Sequence, residues 1–223
     1  MVENEFFFAL GPVVINESVI TTWGIMLILT VFAWLSTRNL KMFPSSIQTI
    51  VESIVAAIDD AIVAAVVPEH GRQIMPFIAS LWLFLIVANL IGLIPGLHSP
   101  TRDLSVTSAL ACLVFFSVHW FGIRMLGLKN YLHHYLKPSP IFLPFHIISE
   151  VTRSLALAIR LFGNMMSLDM AAMIILLVAG FLAPIPILML HIIEALVQAY
   201  IFGMLALIYL ASAIQSQQLN AQE

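Results

Sequence analysis

Five long apolar stretches without charge decide what this chain can fold into: about Val19–Ser36, Ile74–Leu97, Leu104–Ile123, Met170–Leu190 and Ala195–Ile214. Each comes near the roughly 20 residues with which an α-helix crosses a hydrocarbon core of about 30 Å. Composition agrees, since 61% of the 223 residues are hydrophobic and 9% charged, against roughly 45–50% and 25% in soluble domains. An all-α integral membrane protein with about five transmembrane helices follows. The formal net charge of −3 is spread thinly, without the basic patch or stripe that nucleic acid requires. The single cysteine, Cys112, rules out an internal disulfide and a cysteine metal cluster. In its apolar run it reads as a small buried hydrophobe.

The N-terminus, Met1-Val2-Glu3-Asn4-Glu5, has no basic region, and no small-residue cleavage site follows the first apolar run. The first helix is therefore expected to be retained. Between the first two spans, over Pro44–Val67, Ile47, Ile50, Val51, Ile54, Val55, Ile58, Ile62 and Val63 recur at helical spacing against Gln48, Glu52, Ser53, Asp59 and Asp60. This pattern suits an amphipathic helix on the membrane surface; a soluble hairpin packed on a partner reads alike. With five spans drawn, Arg38, Lys41, Arg72, Arg124, Lys129 and Lys137 fall on one side and Arg102 on the other. The positive-inside rule then puts the basic side and the C-terminal tail Gln215–Glu223 in the cytoplasm, and the N-terminus with Glu3, Glu5 and Glu17 outside. The expected segments are an outer N-terminal part (1–18), a first span with its surface helix (19–73), a pair of spans (74–127), and a loop leading to a helical hairpin and tail (128–223).

From about Ile141 to Ala179 no strong helix stop follows Pro144, so one helix of well over thirty residues is expected. Such a helix exceeds the hydrocarbon thickness and must tilt steeply, break or lie partly in the plane. The glycine and prolines of 180–186 turn the chain into the last helix, giving a long, strongly tilted C-terminal hairpin. Inside its first arm lies Arg160. A guanidinium at membrane depth costs a few kcal/mol or more and stays protonated at any physiological pH. A chain that keeps it there keeps a permanent positive charge.

At about 100° per residue, His146, Glu150, Arg153, Arg160, Asn164 and Ser167 share one face of this helix, and Asp169 points away from Arg160. In the last helix His191, Glu194, Gln198 and Ser212 share another. Singly, such residues often serve as interhelical hydrogen-bond glue worth about 1 kcal/mol, and Arg160 has a bland alternative as the salt-bridge partner of Glu150 or Glu194. His146 and His191 read equally well as satisfied neutral imidazoles and as proton carriers. Together the two faces imply a hydrated seam. His119 beside Trp120, and His133-His134 in the basic loop, read as interface residues. No His-Glu-x-x-His spacing and no Gly-rich phosphate loop is present, so no metal, cofactor or nucleotide site is expected.

The run Arg160-Leu161-Phe162-Gly163-Asn164-Met165, then Asp169, then His191 and Gln198-Ala199-Tyr200-Ile201-Phe202, resembles subunit a of the F-type rotary ATP synthase. Asn89-Leu90-Ile91-Gly92-Leu93-Ile94-Pro95, Ser99-Pro100-Thr101-Arg102-Asp103 and Thr107 extend the likeness from about Pro76 to Ser212. Arg153 with the Ser154–Ile159 run is similar to the alternative, proposed sodium-type branch of that family. The resemblance implies a non-catalytic stator subunit in a bacterial inner membrane. Its partners would be a rotating c-ring of proteolipids, the peripheral-stalk subunit b and the bilayer; its only small substrate would be H+ or Na+. Arg160 would be the essential charge at the ring, flanked by Asn164 and Gln198. Asp169 and His191 would line the outer half-channel, with Glu194 added beside them, and Glu150 the cytoplasmic one. Two other classes compete: a stand-alone ion-coupled secondary transporter, whose paired broken helices and internal repeat are missing, and a membrane anchor, which has no use for an ion path.

Overall fold

The computed structural model describes residues 6–10, 13–38, 45–65, 68–94, 97–127, 143–180 and 183–221. Among them, two strands, β1 (Phe6–Leu10) and β2 (Val13–Asn16), precede the helices α1 (Glu17–Arg38), α2 (Ser46–Ala65), α3 (Pro68–Leu90), α4 (Leu104–Leu126), α5 (Leu143–Ala179) and α6 (Ile185–Ala221). Short 3-10 turns at Ile91–Leu93 and Pro100–Arg102 shape the link from α3 to α4. Five segments are long and apolar enough to cross a membrane: Glu17–Arg38, Gly71–Leu93, Leu104–Met125, Pro144–Ala179 and Ile185–Ser212. The expected all-α membrane architecture is thus observed, with one addition. The N-terminal segment forms a small antiparallel hairpin, Phe6 opposite Asn16 and Leu10 opposite Val13, from residues rich in the Phe, Val and Ile that favour strands.

The apolar stretch Met170–Leu190 is not a single span. Helix α5 ends at Ala179, where Gly180 takes φ +84°, a backbone conformation that costs glycine nothing, and returns its N–H to the Leu176 carbonyl. The true fourth span is Pro144–Ala179. Counting charge-free residues missed it because Arg153 and Arg160 interrupt its middle. The second stretch also ends early, α3 giving way to the 3-10 turn at Ile91. The amphipathic segment is helical over Ser46–Ala65, with Ile58 and Ile62 buried and Ile47, Ile50, Ile54, Val55 and Val63 exposed. Cys112 is exposed, not buried; Ala111 and Val114 supply the buried side of α4 there. Glu3, Glu5, Lys41, Pro44, Val67, Pro95, Lys129, His133, His134, Lys137 and Ile141 lie outside the described residues.

The core is the meeting place of α3, α4, α5 and α6, with one side of α2 against α3. Leu85, Val114, Leu161, Phe202 and Leu207 are among its buried side chains. Helices α3 and α6 are in close contact at Gly203. A Cβ there would overlap the Trp82 indole, which stacks on Tyr200 at 6.0 Å and donates Nε1–H to the Tyr200 carbonyl at 3.4 Å. Asp103 starts α4 by accepting the Ser105 N–H at 2.9 Å, the usual device for an unpaired helix N-terminus. Helix α1 stands apart from this core: only Ile25 is buried, while Trp23, Leu27, Phe32 and Trp34 are exposed.

Candidate functional site

Helix α5 turns Leu157, Ala158 and Leu161 into the core, and Arg160, about 100° round the helix from the middle of that face, is exposed. Among the described residues Arg160 has no hydrogen bond and no ion pair. Neither Glu150 nor Glu194 reaches it, which removes the internal salt bridge as an explanation. One turn on, Asn164 donates Nδ2–H to Gln198 Oε1 at 2.8 Å, tying α5 to α6 as the two polar faces anticipated. Gln198 is only 2% exposed, and its Nε2 is buried without a partner among the described residues. Seven residues before Arg160, the Arg153 guanidinium is also exposed. It lies 5.5 Å from the Tyr209 ring centre, a distance at which the ring face attracts a cation.

On one side of Arg160, Asp169 follows nine residues later, roughly 14 Å along a helix. The aspartate meets Arg102 of the 3-10 turn, Nη1 to Oδ2 at 3.4 Å. These are the two exceptions of the sequence pattern: the one basic residue on the outer side and the one acid turned away from the stripe. Beside them lies a buried polar network. Asn89 donates to the Ala195 carbonyl at 3.2 Å, Thr101 to Asn89 Oδ1 at 2.8 Å, and Ser99 to the Ala88 carbonyl at 2.8 Å. The Ser99 and Thr101 hydroxyls are 2.6 Å apart, so two hydroxyl protons serve three short contacts. His191, 3% exposed, has Nε2 3.3 Å from the Asn89 carbonyl. Since a carbonyl only accepts, Nε2 carries the proton. His191 therefore faces α3, not the α5 stripe.

On the other side, Glu150 precedes Arg160 by ten residues, roughly 15 Å. Its Oε2 is 3.2 Å from Nε2 of His119 on α4, whose Nδ1 is 2.9 Å from the Phe115 carbonyl. His119 is thus no simple interface residue, and nothing in the spacing of residues marks the pairing beyond its being a histidine in an apolar span. Trp120 is 65% exposed, in keeping with an outward face. His146 is exposed near the start of α5 and Glu194 half-buried on α6. Among the described residues, Ser167 and Ser212 bond only the carbonyls of Asn164 and Tyr209 on their own helices. The single stripe is therefore three stations on α5: Glu150 with His119, Arg160 with the Asn164–Gln198 amides, and Asp169 with Arg102.

The family model of the ATP synthase A chain matches residues 19–211, and so takes in all three stations. The chain is 62% identical over 213 residues to ATP synthase subunit a 2 of Pelobacter propionicus, covering 96% of this chain and 93% of the relative. It is 57% identical over 218 residues to ATP synthase subunit a of Legionella pneumophila, covering 97% and 94%. With ATP synthase subunit a 1 of Hahella chejuensis it shares 61% over 214 residues, covering 96% and 91%. Because the likeness runs along nearly the whole of each chain, this chain belongs to the ATP synthase A chain family, the non-catalytic membrane stator subunits a of F-type rotary ATP synthases.

Proposed function

We propose that Arg160 is the fixed cation past which the carboxylates of a c-ring must move, and that it separates two offset half-channels for the coupling ion. The observation that carries this reading is an exposed guanidinium, unpartnered among the described residues, in the middle of an apolar span. A cation so situated needs an anion from outside the chain, and a ring carboxylate has the required charge. Asn164 and Gln198 flank it, and the unpaired Gln198 amide supports the same face as the one a partner completes. Asp169, His191 and Glu194 line the outer half-channel; Glu150 and His146 line the inner one, with Arg153 and Ser167 along the seam.

An ion entering from outside neutralises a ring carboxylate, which can then turn through lipid without the desolvation cost of a bare charge. On reaching Arg160 the carboxylate is stabilised in its ionised form and gives up the ion to the other side. The same fixed charge repels ions from the direct path. A membrane potential adds about 2.3 kcal/mol per charge per 100 mV, which rotation conveys to the catalytic head. In this reading the hairpin lies strongly tilted, since 37 residues make a helix of about 55 Å. Helix α2 lies on the cytoplasmic surface with its exposed apolar side chains in lipid, the N-terminus is outside and the C-terminus inside. The exposed α1 borders lipid and the subunit b stalk. Residues 1–18, 19–73, 74–127 and 128–223 act as outer segment, anchor, frame and ion path.

The test is Arg160→Ala in the whole complex, reconstituted in vesicles. Coupled ATP synthesis and ATP-driven pumping should fall to background; retained coupled synthesis rejects the role.

A further inference from the structure

His119 and Glu150 come from different helices and were not paired by any sequence pattern, yet their atoms are arranged so that a proton must lie between them. The His119 Nδ1 is 2.9 Å from the Phe115 carbonyl. A carbonyl cannot donate, so Nδ1 carries a hydrogen. The Nε2 is 3.2 Å from Glu150 Oε2. With Nε2 bare and Glu150 ionised, two lone pairs would face each other. The contact is therefore either imidazolium against carboxylate or imidazole against carboxylic acid, and the two differ only in which atom holds the shared proton. The side chains are 29% and 24% exposed, so the pair is not sealed inside the packed helices. The charged and titratable neighbours along the chain are His146, one turn earlier on α5, Arg153, which lies over Tyr209 of α6, and Arg124, five residues further on in α4.

We infer that the His119–Glu150 pair is a proton relay on the inner half-path, between Arg160 and the start of α5. The inference rests on the role proposed above for Arg160 and adds a residue, a location and an ion to it. In the loaded state the pair holds one proton besides that on Nδ1. It passes this proton to water on the inner side, leaving bare imidazole against carboxylate. That repulsive state is reloaded by one proton that a ring carboxyl releases and water carries over the roughly 15 Å from Arg160 to Glu150, the ring group becoming the carboxylate that faces Arg160. One proton enters and one leaves, and no heavy-atom bond changes. The ion this station carries is a proton, because the 3.2 Å contact between a ring nitrogen and a carboxylate oxygen is one that a shared proton makes.

The test uses the whole ATP synthase with His119→Gln, reconstituted in vesicles, and reads ATP-driven acidification per assembled complex. A glutamine can still bridge α4 and α5 by hydrogen bonds, so a merely structural staple survives the change. A relay does not, because the amide cannot take up and release a proton. Acidification should drop on the order of a hundredfold, the lower end for a positioned acid–base group, and imidazole added to the medium should restore part of it. Glu150→Gln should show the same drop, and decides the matter where His119→Gln lowers assembly. Normal acidification in either assembled variant overturns the relay. So does a drop in His119→Gln that imidazole leaves untouched, or ATP-driven sodium uptake that both variants preserve. Arg160→Ala in the same vesicles separates the two claims: pumping retained there rejects the role of Arg160, whereas pumping retained only in His119→Gln rejects the relay alone.

Discussion

The flank of the α5–α6 hairpin that carries Asp169 and His191 and the middle of that hairpin treat polar side chains in opposite ways. At the flank, Asn89, Ser99, Thr101 and His191 are buried and bonded to one another or to nearby carbonyls, and Asp169 is met by Arg102. In the middle, Arg160 is exposed and has no partner among the described residues. Asn89, Asp169 and His191 sit in helices as apolar as the middle of α5, so for these three the contrast does not come from the helix that carries them. A buried polar group satisfied within the chain fixes how helices pack. A cation left unsatisfied in an apolar setting marks the surface that another molecule completes. The largest expected effect follows from this. Arg160→Ala should reduce coupled turnover to background while the amount of assembled complex, followed by co-purification of the ring, stays near wild type, since no internal bond is lost. Loss of assembly together with activity would make the middle a structural region like the flank.

Next in size, though read in stability and not in turnover, is Gly203→Ala. The added Cβ overlaps the Trp82 indole, and the indole cannot move without giving up its stacking on Tyr200 and its bond to the Tyr200 carbonyl. Overpacking of this kind costs about 1–3 kcal/mol. It should appear as a lower thermal midpoint of the purified complex, with turnover per assembled complex preserved. An unchanged midpoint would mean that α3 and α6 separate at no cost, and that the frame behind the seam is soft.

The helices, the long hairpin and the separate polar faces of α5 and α6 are legible in the sequence because each depends on spacing along one helix, whereas the grouping of Asn164 and Gln198 around Arg160 comes from the family resemblance alone. Which helix faces which is a different kind of information. Asp169 was seen to point away from the stripe, but its partner Arg102 lies 67 positions away in a 3-10 turn, and no periodicity links the two. His119 was equally opaque: beside Trp120 it looks like an interface residue, and only the packing of α4 on α5 brings its ring to Glu150. The counting of apolar windows failed at Met170–Leu190 for the converse reason. Arg153 and Arg160 interrupt the span that carries them, so its length shows only in the missing helix stop after Pro144, while the charge-free stretch is one that Gly180 and Pro184 break.

A smaller effect sharpens the flank itself. Arg102 and Asp169 touch through one oxygen at 3.4 Å with side chains 32% and 20% exposed, and pairs so accessible are worth less than about 1 kcal/mol. A cycle of Arg102→Gln, Asp169→Asn and both together, read by thermal midpoint, should give a coupling of that size. ATP-driven pumping in Asp169→Asn should fall by more than assembly does. A coupling of several kcal/mol with pumping unchanged would make the pair a structural clamp and remove Asp169 from the ion path.

The smallest effect is expected at Ser167, which the sequence grouped with Arg160 on one face but whose hydroxyl donates to the Asn164 carbonyl of its own helix at 3.0 Å. Its side chain is exposed, and that carbonyl, inside a continuous helix, also accepts a backbone N–H in the α-helical pattern. Ser167→Ala therefore leaves no orphaned group and should alter stability by no more than about 0.5 kcal/mol, with coupled turnover within twofold of wild type. The comparison of flank and middle makes this outcome informative, because Ser167 sits between the two. A strong loss of turnover would mean that the ring-facing surface extends from Arg160 past Ser167 toward Asp169, with the hydroxyl turning from its own helix to the moving carboxylate.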